Sequence, residues 1–368
     1  MIMNKNAQPE KATQNRSNTA VQQNGKATPP KRRKKLRFKP SKEGMAQLLL
    51  LLVIVAAIVT AIVFGVKGII YLVNKQPEDT TTDSGSQPPE ALPWNSGYAP
   101  VEHANSNIAV GDLILVNFQN QYTLTDTIKS KLTKLSELEG YSTYYVLSGI
   151  DLGVRSTIAK SLHEMICALV DANPDTLGGK QPGTDRIIIS SGYRDLQKQT
   201  ELYDKRGEGD FVAMPGHSEH HTGYAVDIQI FTAKGGTAQL RSSEQEWMEA
   251  HCAEYGFIIR YDGSKHALTG IMDEPWHYRY VGVPHATYMT EHNLCLEEYL
   301  ESLRTSHSYD KTPLEIKAGE KDYLVYYVPA TKDATFTSVP IPPASEGTYT
   351  ISGDNMNGFI VTVEKTAK

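Results

Sequence analysis

The chain has 368 residues and a net charge of −5, which is enough length for one sizeable catalytic domain with accessory segments. Its three cysteines, Cys167, Cys252 and Cys295, imply no disulfide framework, because they are few and their odd number leaves at least one unpaired. The charge is uneven: residues 1–44 carry twelve Lys and Arg against two Glu, a charge of +10 that leaves −15 for the remainder.

The N-terminal part predicts a cytoplasmic tail followed by a membrane anchor. Residues 1–43 are basic and rich in Asn, Gln, Ala, Thr and Pro, which is typical of a disordered tail. Residues 44–66 carry no charge, and as a helix they would span about 34 Å against a hydrocarbon layer of about 30 Å. We therefore predict an uncleaved transmembrane helix and its flank at residues 44–73. Because Lys and Arg cluster before this helix, the N-terminus would stay in the cytoplasm and the rest of the chain would lie outside it.

The basic run before the predicted helix has a second interpretation, because such runs also bind nucleic acid. Its position favours the topogenic role, so we expect a lipid bilayer and no nucleic acid as its partner. After the helix, residues 74–104 are polar and rich in proline, without apolar periodicity, which predicts a flexible linker. A catalytic domain would then occupy residues 105–304, and residues 305–368 would form a separate module.

Within residues 105–304, apolar residues recur at helical spacing over 157–172, which predicts a helix. Residues 186–191 form a β-rich run that ends shortly before Arg194, and residues 196–203 are compatible with a helix. Arg194 would therefore lie on a loop at the end of a strand. A guanidinium there could bind a substrate carboxylate or stabilise an oxyanion, although a surface arginine paired with an acid would give the same pattern.

Two separated groups of His and Asp are typical of a catalytic zinc site. In the strand-like run 224–230, alternation places Asp227 on the face opposite the apolar residues, and Gly223 allows the chain to turn so that His220 reaches it. The third ligand would be His277, about fifty positions later. Any one of these histidines alone would more often be a buried structural residue. Together the two groups supply three ligands and leave one coordination position open for water.

Glu274 supplies the carboxylate that a zinc hydrolase needs as a general base. In a regular strand, residues three apart lie on opposite faces, which would separate Glu274 from His277. Pro275 disfavours a regular strand at this point and could turn Glu274 toward the metal. The sequence therefore predicts a base beside the metal and not a fourth ligand.

Three blocks of sequence resemble the signature blocks of the VanY-type D-alanyl-D-alanine carboxypeptidases, and they occur in the family's order. They are SGYR at 191–194, SEHHTGYAVD at 218–227 and EPWHYRYVG at 274–282. The resemblance implies a zinc peptidase with an α+β fold, in which a small antiparallel sheet with flanking helices holds the zinc site, as in lysostaphin-like and hedgehog-like domains. It also implies that the partner is a peptidoglycan stem peptide ending in D-Ala.

The resemblance also assigns roles to individual residues, each at a position that matches a family motif. These residues are the zinc ligands His220, Asp227 and His277, the catalytic base Glu274, the arginine Arg194 that faces the substrate carbonyl or carboxylate, and Gln199 and Ser218 near the bound peptide. The chain departs from the pattern at His221, where relatives often have glutamine. Since His221 adjoins a ligand, its effect on metal affinity or on stem recognition stays open.

Residues 305–368 change character and predict a small β module. A helical pattern over 285–303 would close the catalytic domain before it. The module could contact glycan or wall, or it could be a structural cap. Its short strand-like runs, separated by Gly, Pro, Asp and Asn, are 314–317, 323–328, 335–341, 349–352 and 359–363.

The sequence leaves three functions open. The leading one is a membrane-anchored, extracytoplasmic zinc D-alanyl-D-alanine carboxypeptidase that trims stem peptides. An L,D-carboxypeptidase or a peptidoglycan endopeptidase of the same fold would share all the metal residues. A non-catalytic wall-binding protein with a structural zinc is disfavoured, because Glu274 stands where a base is needed and three ligands leave a coordination position open.

Overall fold

The structure, a computed structural model, describes residues 92–178, 183–206 and 212–367. The predicted tail (1–43), the predicted membrane helix (44–73) and the first part of the predicted linker lie outside these residues. Within the described ranges, no helix is both long enough and apolar enough to cross a membrane.

The regular elements of the described residues are as follows. The strands are β1 (Ala99–Ala104), β2 (Leu132–Lys134), β3 (Tyr145–Leu147), β4 (Gly153–Arg155), β5 (Arg186–Ser191), β6 (Ala225–Phe231), β7 (Thr237–Ala238), β8 (Phe257–Tyr261), β9 (Glu274–Tyr280), β10 (Leu314–Ala318), β11 (Lys321–Pro329), β12 (Phe336–Ile341), β13 (Gly347–Gly353) and β14 (Gly358–Lys365). The α-helices are α1 (Tyr141–Tyr144), α2 (Ser156–Ala172), α3 (Leu196–Arg206), α4 (Ser242–His251), α5 (His266–Thr269), α6 (Val283–Glu291) and α7 (Leu296–Ser306).

The largest sheet has six strands in the order β3-β5-β6-β9-β8, with β7 paired to β6. Strands β5, β6, β9 and β8 pair antiparallel, as predicted, whereas β3 and β5 are parallel, so the prediction of an antiparallel sheet is wrong at this edge. The cause is the connection, because the chain passes through helix α2 between β3 and β5, and such a crossover returns it in the same direction. The fold is thus a mixture of helices and a largely antiparallel sheet.

Helix α2 packs against one face of this sheet and completes the main core. Its apolar positions recur at helical spacing, and Ile158 and Leu162 are fully buried. They lie in one cluster with Ile189 of β5 and Val226 of β6. Because side chains alternate along a strand, Asp227 follows Val226 onto the opposite face of the sheet. The face of the sheet that α2 does not cover can therefore carry polar side chains such as Asp227.

The C-terminal residues form a second sheet of four antiparallel strands in the order β10-β11-β14-β13. On one side, Leu300 and Leu303 of α7 share an apolar cluster with Val325 of β11. On the other side, Tyr326 and Phe359 are completely buried in a second cluster. The sheet is therefore apolar on both faces, with helices on one of them.

The helical pattern predicted over 285–303 is confirmed, but in the structure it is divided into two helices. Helix α6 ends at Glu291 and helix α7 begins at Leu296. Between them, Asn293 has a φ of +51°, in the left-handed region that ends helices. The backbone N–H of Cys295 then donates to the Glu298 carboxylate, which caps the start of α7.

Part of the predicted flexible linker is a strand. Residues 99–104 form β1, which pairs antiparallel with β12, so that Val101 lies opposite Val339. Just before it, the ring of Trp94 contacts the rings of Tyr309 and Tyr326 at centroid distances of 5.4 and 5.3 Å. The polar composition gave no sign of this order, because the partners lie far away in the sequence.

Candidate metal centre and catalytic cleft

The three predicted ligands converge in the structure. Asp227 on β6 and His277 on β9 are direct partners across two paired strands, and Oδ1 of Asp227 lies 3.2 Å from Nδ1 of His277. Oδ2 of Asp227 lies 3.4 Å from Nε2 of His220. One ligand atom from each residue lies within 4.8 Å of the other two, so one metal ion could contact all three.

Gly223 makes the turn that brings His220 back to β6. Its φ is +73°, in the region that favours glycine. A Cβ at this position would lie 3.1 Å from Cδ2 of Leu132, so a side chain would be crowded as well as strained. The backbone N–H of Arg155 donates to the Gly223 carbonyl at 2.9 Å and fixes the turn against β4. The predicted role of Gly223 is confirmed.

His220 is held as a neutral ligand by its surroundings. Its Nδ1 lies 2.8 Å from the carbonyl oxygen of Gly192, so the Nδ1–H donates there and Nε2 faces Asp227. Burial, and then the charge of Arg194, lowers the pKa of His220 to about 4. At neutral pH the Nε2 lone pair is therefore available to a metal.

His277 is the more basic of the two histidines. Burial alone would lower its pKa, but hydrogen bonds to Asp227 and Glu219 outweigh burial and raise the pKa to about 9. Burial would likewise raise the pKa of Asp227, but the His220 and His277 contacts hold it below its usual range. A metal ion would replace the proton between Asp227 and His277, so the donor set of two imidazoles and one carboxylate fits a zinc ion.

Glu274 lies on the same side of β9 as His277, as the sequence predicted. Ile259 pairs with Tyr278 and Tyr261 pairs with Glu274, so β9 contains extra residues at this point and its register with β8 shifts. The shift surrounds Pro275, and such an irregularity turns a side chain onto the other face. As a result, Oε2 of Glu274 lies 3.8 Å from Nδ1 of His277.

Arg194 reaches the same group from the end of β5. Its Nη2 donates to Oγ of Ser191 at 2.9 Å and lies 3.9 Å from Oδ2 of Asp227. Its Nη1 donates to Oε1 of Gln199 at 2.8 Å. Gln199 is fully buried and also donates to the carbonyl of Ala213, so it fixes the guanidinium.

His221 bridges two segments of the site wall. The backbone N–H of Gly216 donates to its Nε2 at 3.0 Å, so its Nδ1 carries the proton and donates to the Arg194 carbonyl at 2.7 Å. Glutamine has a donor and an acceptor at similar spacing and could make the same two contacts. A glutamine at this position could therefore hold the Arg194 backbone in the same way as His221 does.

The three predicted ligands line one cleft of about 1100 Å³ together with Glu274, Arg194 and Gln199, and the cleft has room for several residues of a peptide. Ser218 is largely buried, but it also lines the cleft. The remaining wall comes from the loop after β3 and from aromatic side chains, among them Ser148, Ile150, Tyr193, Tyr261 and Trp276.

Sequence reasoning missed a set of buried charged residues next to the metal group. Arg260 is 1% exposed and Arg279 is 0% exposed, and both bind the carboxylate of Glu219. Arg260 also pairs with Glu297 of α7. The available signal was Arg260 itself, because a charged residue inside an apolar strand is rarely buried unless it is paired.

Comparison with known proteins identifies the family. The VanY family, described as D-alanyl-D-alanine carboxypeptidase, matches residues 151–283. A D-alanyl-D-alanine carboxypeptidase of Enterococcus faecium is 34% identical over 254 residues, which cover 69% of this chain and 75% of the relative. The chain belongs to the VanY family of D-alanyl-D-alanine carboxypeptidases. The resemblance predicted from three sequence blocks is confirmed.

Two solved structures are similar to this VanY-family chain. The D,D-dipeptidase VanXYg, solved with a D-Ala-D-Ala phosphinate analogue, is 30% identical with a TM-score of 0.58, over 73% of this chain and 99% of that one. A VanY D,D-pentapeptidase solved with Zn(II) is 31% identical with a TM-score of 0.38, over 51% of this chain and 98% of that one. VanY-family enzymes are zinc peptidases, and the predictions of a metallo-carboxypeptidase with a zinc cofactor are confirmed.

Proposed function

We propose that this VanY-family enzyme removes the terminal D-Ala from peptidoglycan stem peptides that end in D-Ala-D-Ala. The observation that carries the proposal is the position of Glu274, whose carboxylate lies 3.8 Å from the metal-facing nitrogen of His277. The same cleft presents the guanidinium of Arg194. A metal group, a base and a cation in one cleft are the parts that peptide hydrolysis needs.

The metal would be held by Nε2 of His220, a carboxylate oxygen of Asp227 and Nδ1 of His277. These three residues leave a coordination position open, as catalytic zinc sites do. When bound, zinc supplies a Lewis acid that lowers the pKa of water and polarises a carbonyl.

Glu274 would take the proton from the attacking water and later pass it to the amine of the departing D-Ala. Arg194 would bind the substrate carboxylate or the oxyanion that forms at the scissile carbonyl. Its contacts with Ser191 and Gln199 hold it in place before substrate arrives, so little reorganisation is needed. Ser218 and Gln199 would border the bound peptide.

The proposed substrate is tested with defined stem peptides. The purified full-length enzyme is incubated separately with pentapeptide stems ending in D-Ala-D-Ala, with tetrapeptide stems that end in a single D-Ala, and with cross-linked stem dimers. We expect D-Ala from the pentapeptide alone, loss of release with a chelator and recovery with Zn²⁺. Release from the tetrapeptide alone would instead identify an L,D-carboxypeptidase, and cleavage confined to cross-linked dimers would identify an endopeptidase.

The proposed ligands are tested by metal content. We expect His220→Ala to remove the bound zinc, because two remaining ligands hold the ion much more weakly. The exposed His292 provides the control, and His292→Ala should bind one zinc per chain as the wild type does. Full zinc occupancy in His220→Ala would contradict the proposed ligand set.

We further propose that the enzyme is a single-pass membrane protein with its N-terminus in the cytoplasm and its catalytic domain outside. The uncharged run at 44–66 and the basic residues before it support this placement. Membrane fractionation of the full chain and of a deletion of residues 44–66 tests it. We expect the full chain in the membrane fraction and the deletion variant in the soluble one; equal distributions would refute the anchor.

A further inference from the structure

Glu219 is a fully buried carboxylate with three basic neighbours. Its side chain is 0% exposed. Its Oε1 accepts hydrogen bonds from Nε of Arg260 and Nη1 of Arg279, both at 2.8 Å. Its Oε2 lies 3.3 Å from Nε2 of His277. Oε1 therefore binds the two guanidinium groups, and Oε2 contacts the imidazole of His277.

The imidazole of His277 is consequently held from both sides. Its Nδ1 faces Asp227 and its Nε2 faces Glu219. A neutral imidazole carries a proton on one nitrogen and offers a lone pair on the other, so the group that accepts the proton selects the nitrogen that can bind a metal.

We propose that Glu219 is a positioning residue that accepts the Nε2–H of His277 and so directs Nδ1 toward the metal. The inference rests on the proposed function, because it requires a metal at this group. In metal sites generally, a carboxylate that accepts the second ring N–H of a metal-binding histidine fixes the tautomer and the ring orientation of that histidine.

Two buried arginines keep Glu219 able to accept the Nε2–H of His277. Two guanidinium groups donate to Oε1 of Glu219, which favours the carboxylate form of the side chain. In that form Oε2 can only accept a hydrogen bond. Balancing the two arginines would require only Oε1, whereas the contact of Oε2 is with the ring.

The two arginines are themselves fixed. Nη1 and Nη2 of Arg260 donate to the two carboxylate oxygens of Glu297 at 3.0 and 2.7 Å. Nη2 of Arg279 donates to two backbone carbonyl oxygens at 2.8 and 2.9 Å. Because both guanidiniums are anchored on their far sides, Glu219 is held in one orientation against His277.

The substitution Glu219→Gln separates positioning from charge balance. Two guanidiniums would attract the amide oxygen, so the amide NH₂ would face Nε2 of His277. That arrangement favours an unprotonated Nε2 and a proton on Nδ1, where the metal must bind. We expect the affinity for Zn²⁺ to fall about 10- to 100-fold, as for other residues that orient a metal ligand.

The experiment is a chelator competition that measures Zn²⁺ affinity in the full chain, with urea unfolding in parallel. The matched control is Glu297→Gln, which removes one carboxylate from the same buried network but leaves Glu219 and His277 in place. We expect Glu297→Gln to bind Zn²⁺ within about threefold of the wild type. Wild-type affinity in Glu219→Gln, or an equal loss in both variants, would overturn the positioning role.

A measurement on the wild type covers the case in which Glu219→Gln does not fold. Nitrogen NMR of the ¹⁵N-histidine-labelled, zinc-loaded chain should show two metal-bound rings with opposite tautomers. His220 should carry its proton on Nδ1, and His277 on Nε2 with slow solvent exchange. A His277 ring bound through Nε2 would overturn the inference, whereas a wild type that binds no zinc would refute the proposed function as well.

Discussion

The metal centre and the C-terminal sheet are both deeply buried, but they are built from opposite kinds of side chain. Around the metal group, Glu219 and Arg279 are fully buried and satisfied by ion pairs and hydrogen bonds. In the C-terminal sheet, Val325, Tyr326 and Phe359 are equally buried in apolar clusters. Buried ion pairs add little net stability, because desolvation offsets their attraction, whereas apolar burial contributes about 25 cal/mol per Å². We therefore expect the buried ion pairs mainly to position the metal ligands, and the apolar C-terminal sheet mainly to stabilise the fold.

The largest expected effect is on turnover at the metal centre. Glu274→Gln removes the proposed base but none of the ligands, so we expect kcat to fall about 10²- to 10⁴-fold while zinc stays bound. Steady-state kinetics and metal analysis of the same preparation measure both quantities. The neighbouring Asp273, whose carboxylate accepts the N–H of Gly263, gives the control Asp273→Asn with kcat near that of the wild type. An active Glu274→Gln enzyme would refute the assigned base.

The C-terminal sheet should show the reverse pattern. Phe359 is 0% exposed, so Phe359→Ala leaves a cavity, and we expect a loss of about 3–5 kcal/mol in the free energy of unfolding. Zinc affinity and kcat per folded molecule should not change. Urea unfolding measures the loss, with Phe336→Ala as the control, because Phe336 is 49% exposed in the same module. If Phe359→Ala lowered zinc affinity without lowering the free energy of unfolding, the proposed difference between the two regions would be wrong.

A buried histidine in the C-terminal region should make stability depend on pH. His285 contacts the hydroxyls of Tyr299 and Thr362, and burial lowers its pKa to about 3. The unfolded chain gains a proton there below about pH 6.5 and the folded one does not, so stability is present above that pH and is lost as pH falls toward 3. We expect the wild type to lose about 2 kcal/mol more than His285→Gln between pH 7 and pH 5, by urea unfolding. Parallel losses in the two proteins would contradict this.

The smallest effect is expected at His221. His221→Gln can keep both the contact with Gly216 and the contact with the Arg194 carbonyl, so we expect kcat/KM within about threefold of the wild type. His221→Ala loses both contacts and should lower kcat/KM about tenfold, since a hydrogen bond contributes about 1 kcal/mol. If His221→Ala also stays within threefold of the wild type, the bridge has no effect on Arg194. If His221→Gln falls as far as His221→Ala, glutamine does not reproduce the two contacts.

The sequence predicted most of what local pattern determines. The helix predicted at 157–172 is Ser156–Ala172, and the strand predicted at 224–230 is Ala225–Phe231. The five runs predicted in the C-terminal module are all strands. Alternation and turn residues are local signals, and they also brought Asp227 and His220 together on one face.

What the sequence did not predict depends on distant partners. Strand β1 exists because β12 pairs with it, and the parallel edge strand β3 exists because α2 forms a crossover. The role of Glu219, which lies in the turn before β6, depends on Arg260 of β8 and Arg279 of β9. Three-dimensional pairing of this kind leaves no periodicity along the chain, although a buried arginine in an apolar strand is an indirect sign.

The pairing of β1 with β12 also determines where mechanical tension enters the fold. β1 is the first strand of the described chain, and Ala99 lies opposite Ile341. A pull on the polypeptide upstream of residue 92 is therefore transmitted first to the C-terminal strands and the aromatic rings beside Trp94. β1 would have to separate from β12 before such a pull could extend the chain beyond Ala104 toward the metal centre.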